Sequence, residues 1–293
     1  MNKWIAWLQA ARITSAINIQ LPLVLGHAIA YSVDDTVAVG NLWWLFLYGI
    51  GMQLYIVFLN DWSDRFADAL NEAPTMFSGG SRVLVQAKLE PKELRNTGLV
   101  FGCLVFVWGV ALAVFMSRPF LPLLSGIGLG LFWLYSLYPV RMNYRFGGEF
   151  LQALGVGGVL PLVAFYLNTG DWIGPNVGGV ILGYISLQLG AAVAFTLPDI
   201  EADRKAGKGT MAVRFGAKNA VILSYFFSVL GLLVLWFDGI AIEWIIFPLL
   251  PLLLILLELT RKTTQSNNLF VTMMLISPAI TFAVVFVLYL LGS

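Results

Sequence analysis

Stretches of near-continuous apolar sequence, each close to twenty residues long, recur along the whole chain. They lie near 13–33, 42–60, 97–116, 119–138, 149–167, 176–197, 218–237, 241–260 and 268–291. A helix of about 20 residues crosses a hydrocarbon layer of about 30 Å. No single globular core hides so many such segments. Of the 293 residues, 59% are hydrophobic and 11% charged, against about 25% charged in a soluble domain. The pattern predicts an all-α, polytopic membrane protein of about nine transmembrane helices forming a single domain over 1–293. Ahead of the first stretch, Trp4, Ile5, Trp7, Leu8 and Ala11 recur with helical period, as in a short amphipathic helix lying on the membrane surface. No small-residue cleavage site follows a basic leader, so no removable signal peptide is expected.

The basic residues are distributed unevenly. With nine spans, 16 of the 17 Lys and Arg residues fall on one side, and only Arg118 falls on the other. They occupy the N-terminal segment and the loops near 61–96, 139–148, 198–217 and 261–267, with Lys218 at a span boundary on the same side. The positive-inside rule puts these segments in the cytoplasm and the C-terminus on the opposite side. Cys103 is the one cysteine and His27 the one histidine, both in apolar runs. That excludes disulfides and Cys-based metal sites. His27 reads as a helix-packing residue, and the repeated glycines as points of close helix approach.

Against this background, "FLNDWSDRFADAL" (58–70) places Asp61, Asp64 and Asp68 at spacings of three and four as a greasy helix finishes. A helix stacks such residues on one face, with Asn60 beside them. A second patch, "LPDIEADRKAGKGTMAVRFG" (197–216), holds Asp199 and Asp203 four apart, again at the cytoplasmic end of a span. Each Asp costs about 2.5–3.5 kcal/mol at the centre of a membrane helix, so five facing lipid would cost on the order of 10 kcal/mol. They must face a cavity or water, and aligned carboxylates in a partly dry cavity call for protons or a cation. Hard oxygen ligands with no His or Cys nearby suit Mg2+, which keeps several waters and bridges to phosphates.

Each patch runs into a basic, glycine-bearing loop. "FSGGSRVL" (77–84) holds Ser81 and Arg82, and "RKAGKGT" (204–210) holds Lys205, Lys208 and Thr210. Glycine lets backbone N–H groups approach an anion while Lys and Arg supply charge. Neither loop is a P-loop, since GxxxxGK[ST] is absent. The alternative is that these are solvated helix ends whose acids pair with Arg65, Arg204 and Lys205.

The pair N60-D61-x-x-D64-x-x-x-D68 and D199-x-x-x-D203, in opposite halves of a nine-span chain, resembles the UbiA superfamily of intramembrane prenyltransferases. The resemblance implies helices ringing a central cavity open to lipid, with cytoplasmic cap loops near 69–96 and 204–217. It implies that Asn60, Asp61, Asp64, Asp68, Asp199 and Asp203 hold Mg2+, the five aspartates being catalytic, against the diphosphate of an isoprenyl donor. Asn60, Ser81, Arg82, Lys205 and Lys208 are then diphosphate ligands. "YSLYPVRMNYRFGGE" (135–149) is similar to the family's Tyr-Ser…Pro…Arg segment, which adds Tyr135 and Ser136 as cavity residues and Arg141 and Arg145 as phosphate contacts, the alternative being an interfacial aromatic belt with positive-inside charges. "GGSRVL" and "DIEADRKAGKGTMAVRFG" most resemble the branch that prenylates 1,4-dihydroxy-2-naphthoate in menaquinone synthesis, which implies a prokaryotic inner membrane. The Arg-Thr…Arg-Pro signature of the 4-hydroxybenzoate and haem O branches is missing after the first motif. Homogentisate, chlorophyllide and glycerol-phosphate lipid stay open as acceptors beside those two. The rival from another class is a cation-coupled secondary transporter.

Overall fold

A computed structural model describes residues 3–34, 36–172, 175–260 and 268–292. The expected loop at 261–267, with Arg261 and Lys262, lies outside the described residues. Those described form twelve α-helices: α1 Lys3–Ala10, α2 Ile17–Val33, α3 Asn41–Leu70, α4 Pro91–Phe115, α5 Leu121–Ser136, α6 Gly148–Leu154, α7 Leu160–Thr169, α8 Pro175–Phe195, α9 Ile200–Lys205, α10 Met211–Phe237, α11 Ile242–Thr260 and α12 Asn268–Gly292. A π-helical turn, Gly155–Val159, joins α6 to α7. Seven helical segments among the described residues are long and apolar enough to cross a membrane, whereas Leu121–Ser136 and Ile242–Leu257 are apolar but shorter. Side chains such as Val107, Phe115, Leu182, Phe247 and Leu257 are exposed around the bundle, as lipid-facing residues are. The chain is an integral membrane protein.

Two apolar clusters fill the interior. One draws on α2, α8, α10, α11 and α12 through Leu25, Tyr184, Leu235, Leu252 and Phe282. The other draws on α2, α3, α4, α5 and α7 through Leu23, Tyr48, Leu112, Leu121 and Tyr166. Helix α2 belongs to both and ties the halves together. Small residues let α8 and α10 meet closely: a Cβ on Gly231 would come within 2.7 Å of the Gly183 carbonyl oxygen. The expected glycine contacts divide, since Gly157 meets the Ile185 backbone while Gly130 and Gly155 face open space.

Three boundaries depart from the sequence expectation, and all three shape the site. Helix α3 does not stop near 60 but runs to Leu70, because its apolar face ends before its hydrogen bonding does. The chain between α3 and α4 is irregular only over 71–90, and Glu90 and Glu93 form a capping box at the start of α4. After Phe195 the helix breaks and restarts at Ile200, with Asp199 as its N-cap. Helix α1 exposes Trp4, Ile5 and Leu8 and buries Ala6 and Ala10, packing these small residues with Val83 and Leu89 of the 71–90 segment.

Candidate active site

The helical period of α3 carries Asp61, Asp64 and Asp68 on one face, at the end of the bundle away from Asn41. Asp61 and Asp64 are buried. Asp61 accepts from the Arg12 guanidinium and the Ser81 hydroxyl, and from the Ser81 backbone N–H at 3.3 Å to each oxygen. Asp64 accepts from Asn143 Nδ2 at 3.0 and 3.2 Å, from Asn60 Nδ2 at 3.4 Å and from Lys208 Nζ at 3.0 Å. Arg141 Nη2 stands 3.9 Å from the same carboxylate. Asp68 lies against Gly80, whose φ of +64° and missing Cβ leave room for the carboxylate.

The second patch comes to the first across the broken end of α8. Asp203 N–H donates to the Asp199 carbonyl at 2.7 Å, so the four-residue spacing survives inside the first turn of α9. Asn71 Nδ2 donates to Asp199 Oδ1 at 2.6 Å. The Lys208 ammonium lies 3.1 Å from Asp203 Oδ1 while it also holds Asp64. One buried ammonium thus bridges the two acid patches. Gly207 at φ +73° turns the chain ahead of it, and Gly209 N–H to Tyr144 O at 3.0 Å fixes the chain after it.

Crowded charge shifts these groups. Burial first, then the neighbouring Asp203, raises Asp199 to about 7, against the opposing pull of Lys208 and Asn71. Burial also raises Asp203, opposed by Lys208. Burial alone would lower Lys208, but Asp64 and Asp203 raise it well above its usual value. Desolvation favours neutral acids, and a cation among them reverses the preference.

The donor set is oxygen alone, as a hard divalent cation requires. Two further observations bear on the fit. The Asp68 carboxylate receives no hydrogen bond among the described residues, and Asn143 Oδ1 is buried without a partner. Both leave acceptor capacity that a hydrated cation would use. Among the described residues no three His, Cys, Asp or Glu side chains already converge as a ligand set, and the Lys208 ammonium stands between Asp64 and Asp203. The residues fit Mg2+ in chemistry, with Lys208 as the group that must give way.

A model of the UbiA prenyltransferase family matches residues 20–276. The chain belongs to the UbiA prenyltransferase family. The 1,4-dihydroxy-2-naphthoate octaprenyltransferase of Bacillus subtilis is 26% identical to this prenyltransferase over 233 residues, covering 77% of this chain and 71% of that one. The enzyme of the same name from Mycobacterium tuberculosis is 25% identical over 236 residues, covering 80% and 78%. A UbiA homolog from Archaeoglobus fulgidus, solved bound to DMAPP and Mg2+, shares the fold with a TM-score of 0.70 at 18% identity, over 98% of this chain and 99% of that one.

The residues expected at the site of this UbiA enzyme are not all brought to it. Asn60, Asp61, Asp64, Asp68, Ser81, Arg141, Asp199, Asp203 and Lys208 gather as described. Arg82 takes φ +67° and donates to the backbone carbonyls of Asp68 and Asn71, bracing the end of α3 rather than meeting a carboxylate. Lys205 is exposed and pairs with Glu72 at 2.9 Å. Arg145 is exposed, with no side-chain bond to the acids. Ser136 is fully buried and accepts from Asn60 at 3.4 Å, which makes it a support for α3. Tyr135 is partly buried and packs on Phe132. Of the solvated-end alternative, the Glu201–Arg204 pair at 2.8 Å is present, but Arg65 stacks on Phe66 and pairs with no acid among the described residues. Sequence reading passed over Arg12, Asn71 and Asn143. Their signal was weak: a lone Arg before the first span, one Asn directly after the first acid-bearing helix, and one in the turn that follows α5.

Proposed function

We propose that this prenyltransferase moves an isoprenyl chain from a prenyl diphosphate to an aromatic quinone precursor in the membrane, with 1,4-dihydroxy-2-naphthoate as the acceptor. The observation that carries the reading is the single Lys208 ammonium shared by Asp64 and Asp203. It brings two acid patches from opposite halves of the chain within reach of one cation. The naphthoate acceptor is supported by the names of the relatives from Bacillus subtilis and Mycobacterium tuberculosis. The donor and the metal are supported by the DMAPP and Mg2+ of the Archaeoglobus fulgidus homolog.

Asp61, Asp64, Asp68, Asp199 and Asp203, with Asn60, are the residues that would hold Mg2+. When bound, Mg2+ supplies Lewis-acid neutralisation of the leaving diphosphate. Lys208 and Arg12, already within the acid cluster, turn to the diphosphate and stabilise the charge it gains, and Arg141 adds its charge from its place on Ser63 O beside Asp64. Ser81 offers a backbone N–H and a hydroxyl beside Asp61. Arg82, Lys205 and Arg145 extend the basic rim that draws the donor in, and Tyr135 lines the path of its tail. The allylic C–O electron pair leaves with the diphosphate oxygen. An electron-rich acceptor carbon forms the new C–C bond to the allylic carbon, and a base or water takes the proton which that ring carbon carried, its bonding pair restoring the ring. The segments 69–96 and 204–217 serve as cap loops over this end of the single domain. Carboxylates at one end of the bundle, rather than at mid-depth, weigh against cation-coupled transport.

The test is purified protein with Mg2+, a radiolabelled prenyl diphosphate and a panel of acceptors: dihydroxynaphthoate, 4-hydroxybenzoate, homogentisate, chlorophyllide, haem and a glycerol-phosphate lipid. Prenylated naphthoate is the expected product, and Asp64→Ala is expected to abolish Mg2+-dependent donor binding. Product with a different acceptor alone overturns the naphthoate assignment. No product with any acceptor, together with unchanged donor binding by Asp64→Ala, overturns the whole reading.

A further inference from the structure

Asn143 sits in a short 3-10 turn, Met142–Tyr144, that neither acid patch contains. Its side chain is 4% exposed. Nδ2 lies 3.0 Å from one Asp64 oxygen and 3.2 Å from the other, while Oδ1 is buried without a partner. An amide that uses only its donor end, and uses it on one carboxylate, is placed for that carboxylate. The turn itself is held from both sides. Arg141, at φ +48°, donates to Ser63 O at 3.0 Å, one residue ahead of Asp64 on α3. Its guanidinium lies 3.6 Å from the centre of the Tyr144 ring. The Tyr144 carbonyl accepts from Gly209 N–H at 3.0 Å, next to Lys208. The backbone of Asn143 is therefore fixed to the helix that carries Asp64 and to the loop that faces Asp203.

We infer that Asn143 is a positioning residue: through Nδ2 it sets the plane of the Asp64 carboxylate for divalent-cation binding. This rests on the reading of the acid cluster as a Mg2+ site. Hydrogen bonds from outside a metal's ligand set orient the ligands, and their loss typically weakens metal affinity about 10- to 100-fold. Lys208 holds Asp64 only while the ammonium stays between the patches. Asn143 holds it from the side and does not have to leave when the cation arrives.

The experiment measures the Mg2+ affinity of the detergent-solubilised full chain with Mg2+ alone as the probe, by calorimetry, and the melting temperature without metal. Asn143→Ala is expected to weaken Mg2+ binding about 10- to 100-fold. Asn143→Ser, too short to reach Asp64, is expected to do the same and serves if the alanine variant does not fold. In an Asp64→Ala background, Asn143→Ala should change the remaining affinity by less than about twofold, because a residue acting through Asp64 has nothing left to act on. In donor kinetics at saturating Mg2+, both single variants should recover most of kcat, and the Mg2+ concentration for half-maximal rate should rise in step with the binding constant. If the unaltered protein binds no Mg2+, the reading beneath this inference falls with it. If the unaltered protein binds and the Asn143 variants match it within about twofold, this inference alone falls. Lower metal-free melting with unchanged Mg2+ affinity also overturns it, leaving Asn143 a packing residue.

Discussion

At the scale of single residues, charge compensation dominates the candidate site. Removing one partner of a buried ion pair typically costs about 3–5 kcal/mol, because the other charge is left uncompensated. Lys208 has two such partners, so Lys208→Met is expected to lower metal-free stability by about 3 kcal/mol near pH 8. The loss should shrink near pH 6, because lower pH relieves the uncompensated negative charge that the missing ammonium leaves buried. Denaturant titration of the solubilised protein at both pH values checks this, and equal losses at the two would contradict the charge account. Asp199 gives a related expectation. Its pKa in the metal-free fold is about 7, well above its unfolded value near 4. The fold therefore keeps a proton that the unfolded chain releases, and metal-free stability falls as pH rises from about 4 to about 7. Mg2+ competes with that proton. The rise in melting temperature caused by a fixed Mg2+ concentration should be larger near pH 8 than near pH 6.

At the scale of elements, the acid-bearing helix was legible in the sequence because its spacing alone puts three aspartates on one face. Its length was not. The apolar run that marks a membrane span ends near 60, but backbone hydrogen bonding continues to Leu70, and those last turns carry the whole first patch. Which lysine turns inward was also hidden, since Lys205 and Lys208 look equivalent in a glycine-rich run. The choice is made by Gly207 and by the contact between Gly209 and Tyr144, a pairing distant in sequence. Phe66 shows the same limit: it falls between the acids as a packing residue would, but it is 69% exposed. Helix α1 acts as a brace for the 71–90 segment. Gln9 Nε2 donates to Ser81 O at 2.6 Å, and Lys88 Nζ donates to Gln9 Oε1 at 2.7 Å. Each such bond contributes about 0.5–1.5 kcal/mol. Gln9→Ala should therefore speed hydrogen exchange in residues 81–88 by roughly tenfold. Exchange there that stays at the unaltered rate would show that the apolar contacts of Ala6, Ala10, Val83 and Leu89 hold the segment without Gln9.

At the scale of the whole molecule, the bundle has two chemically different ends. At one, Arg118 donates to the carbonyls of Leu167 at 3.0 Å and Asn168 at 2.9 Å, and Asn41 Nδ2 donates to Asn168 Oδ1 at 2.9 Å. Among the described residues this end carries a single basic side chain, with its charge satisfied by backbone carbonyls. At the other lie the five aspartates with Arg12, Arg82, Arg141, Lys205 and Lys208. Helix α3 joins the two ends, starting at Asn41 and finishing among the acids. The positive-inside rule weighs Lys and Arg far more than Asp and Glu, so the acid-rich end is expected in the cytoplasm despite its carboxylates. That orientation suits the proposed chemistry, because a water-soluble diphosphate would meet the site at the end where its lipid tail can still enter the bilayer. In a Cys103→Ser background, Lys205→Cys and Ser117→Cys place one thiol at each end. Ser117→Cys should react with a membrane-impermeant maleimide in intact cells, and Lys205→Cys only in inverted vesicles. The reverse pattern would put the basic end outside. Positive-inside bias would then not have set the topology, and the donor would have to reach its site from the far side of the membrane.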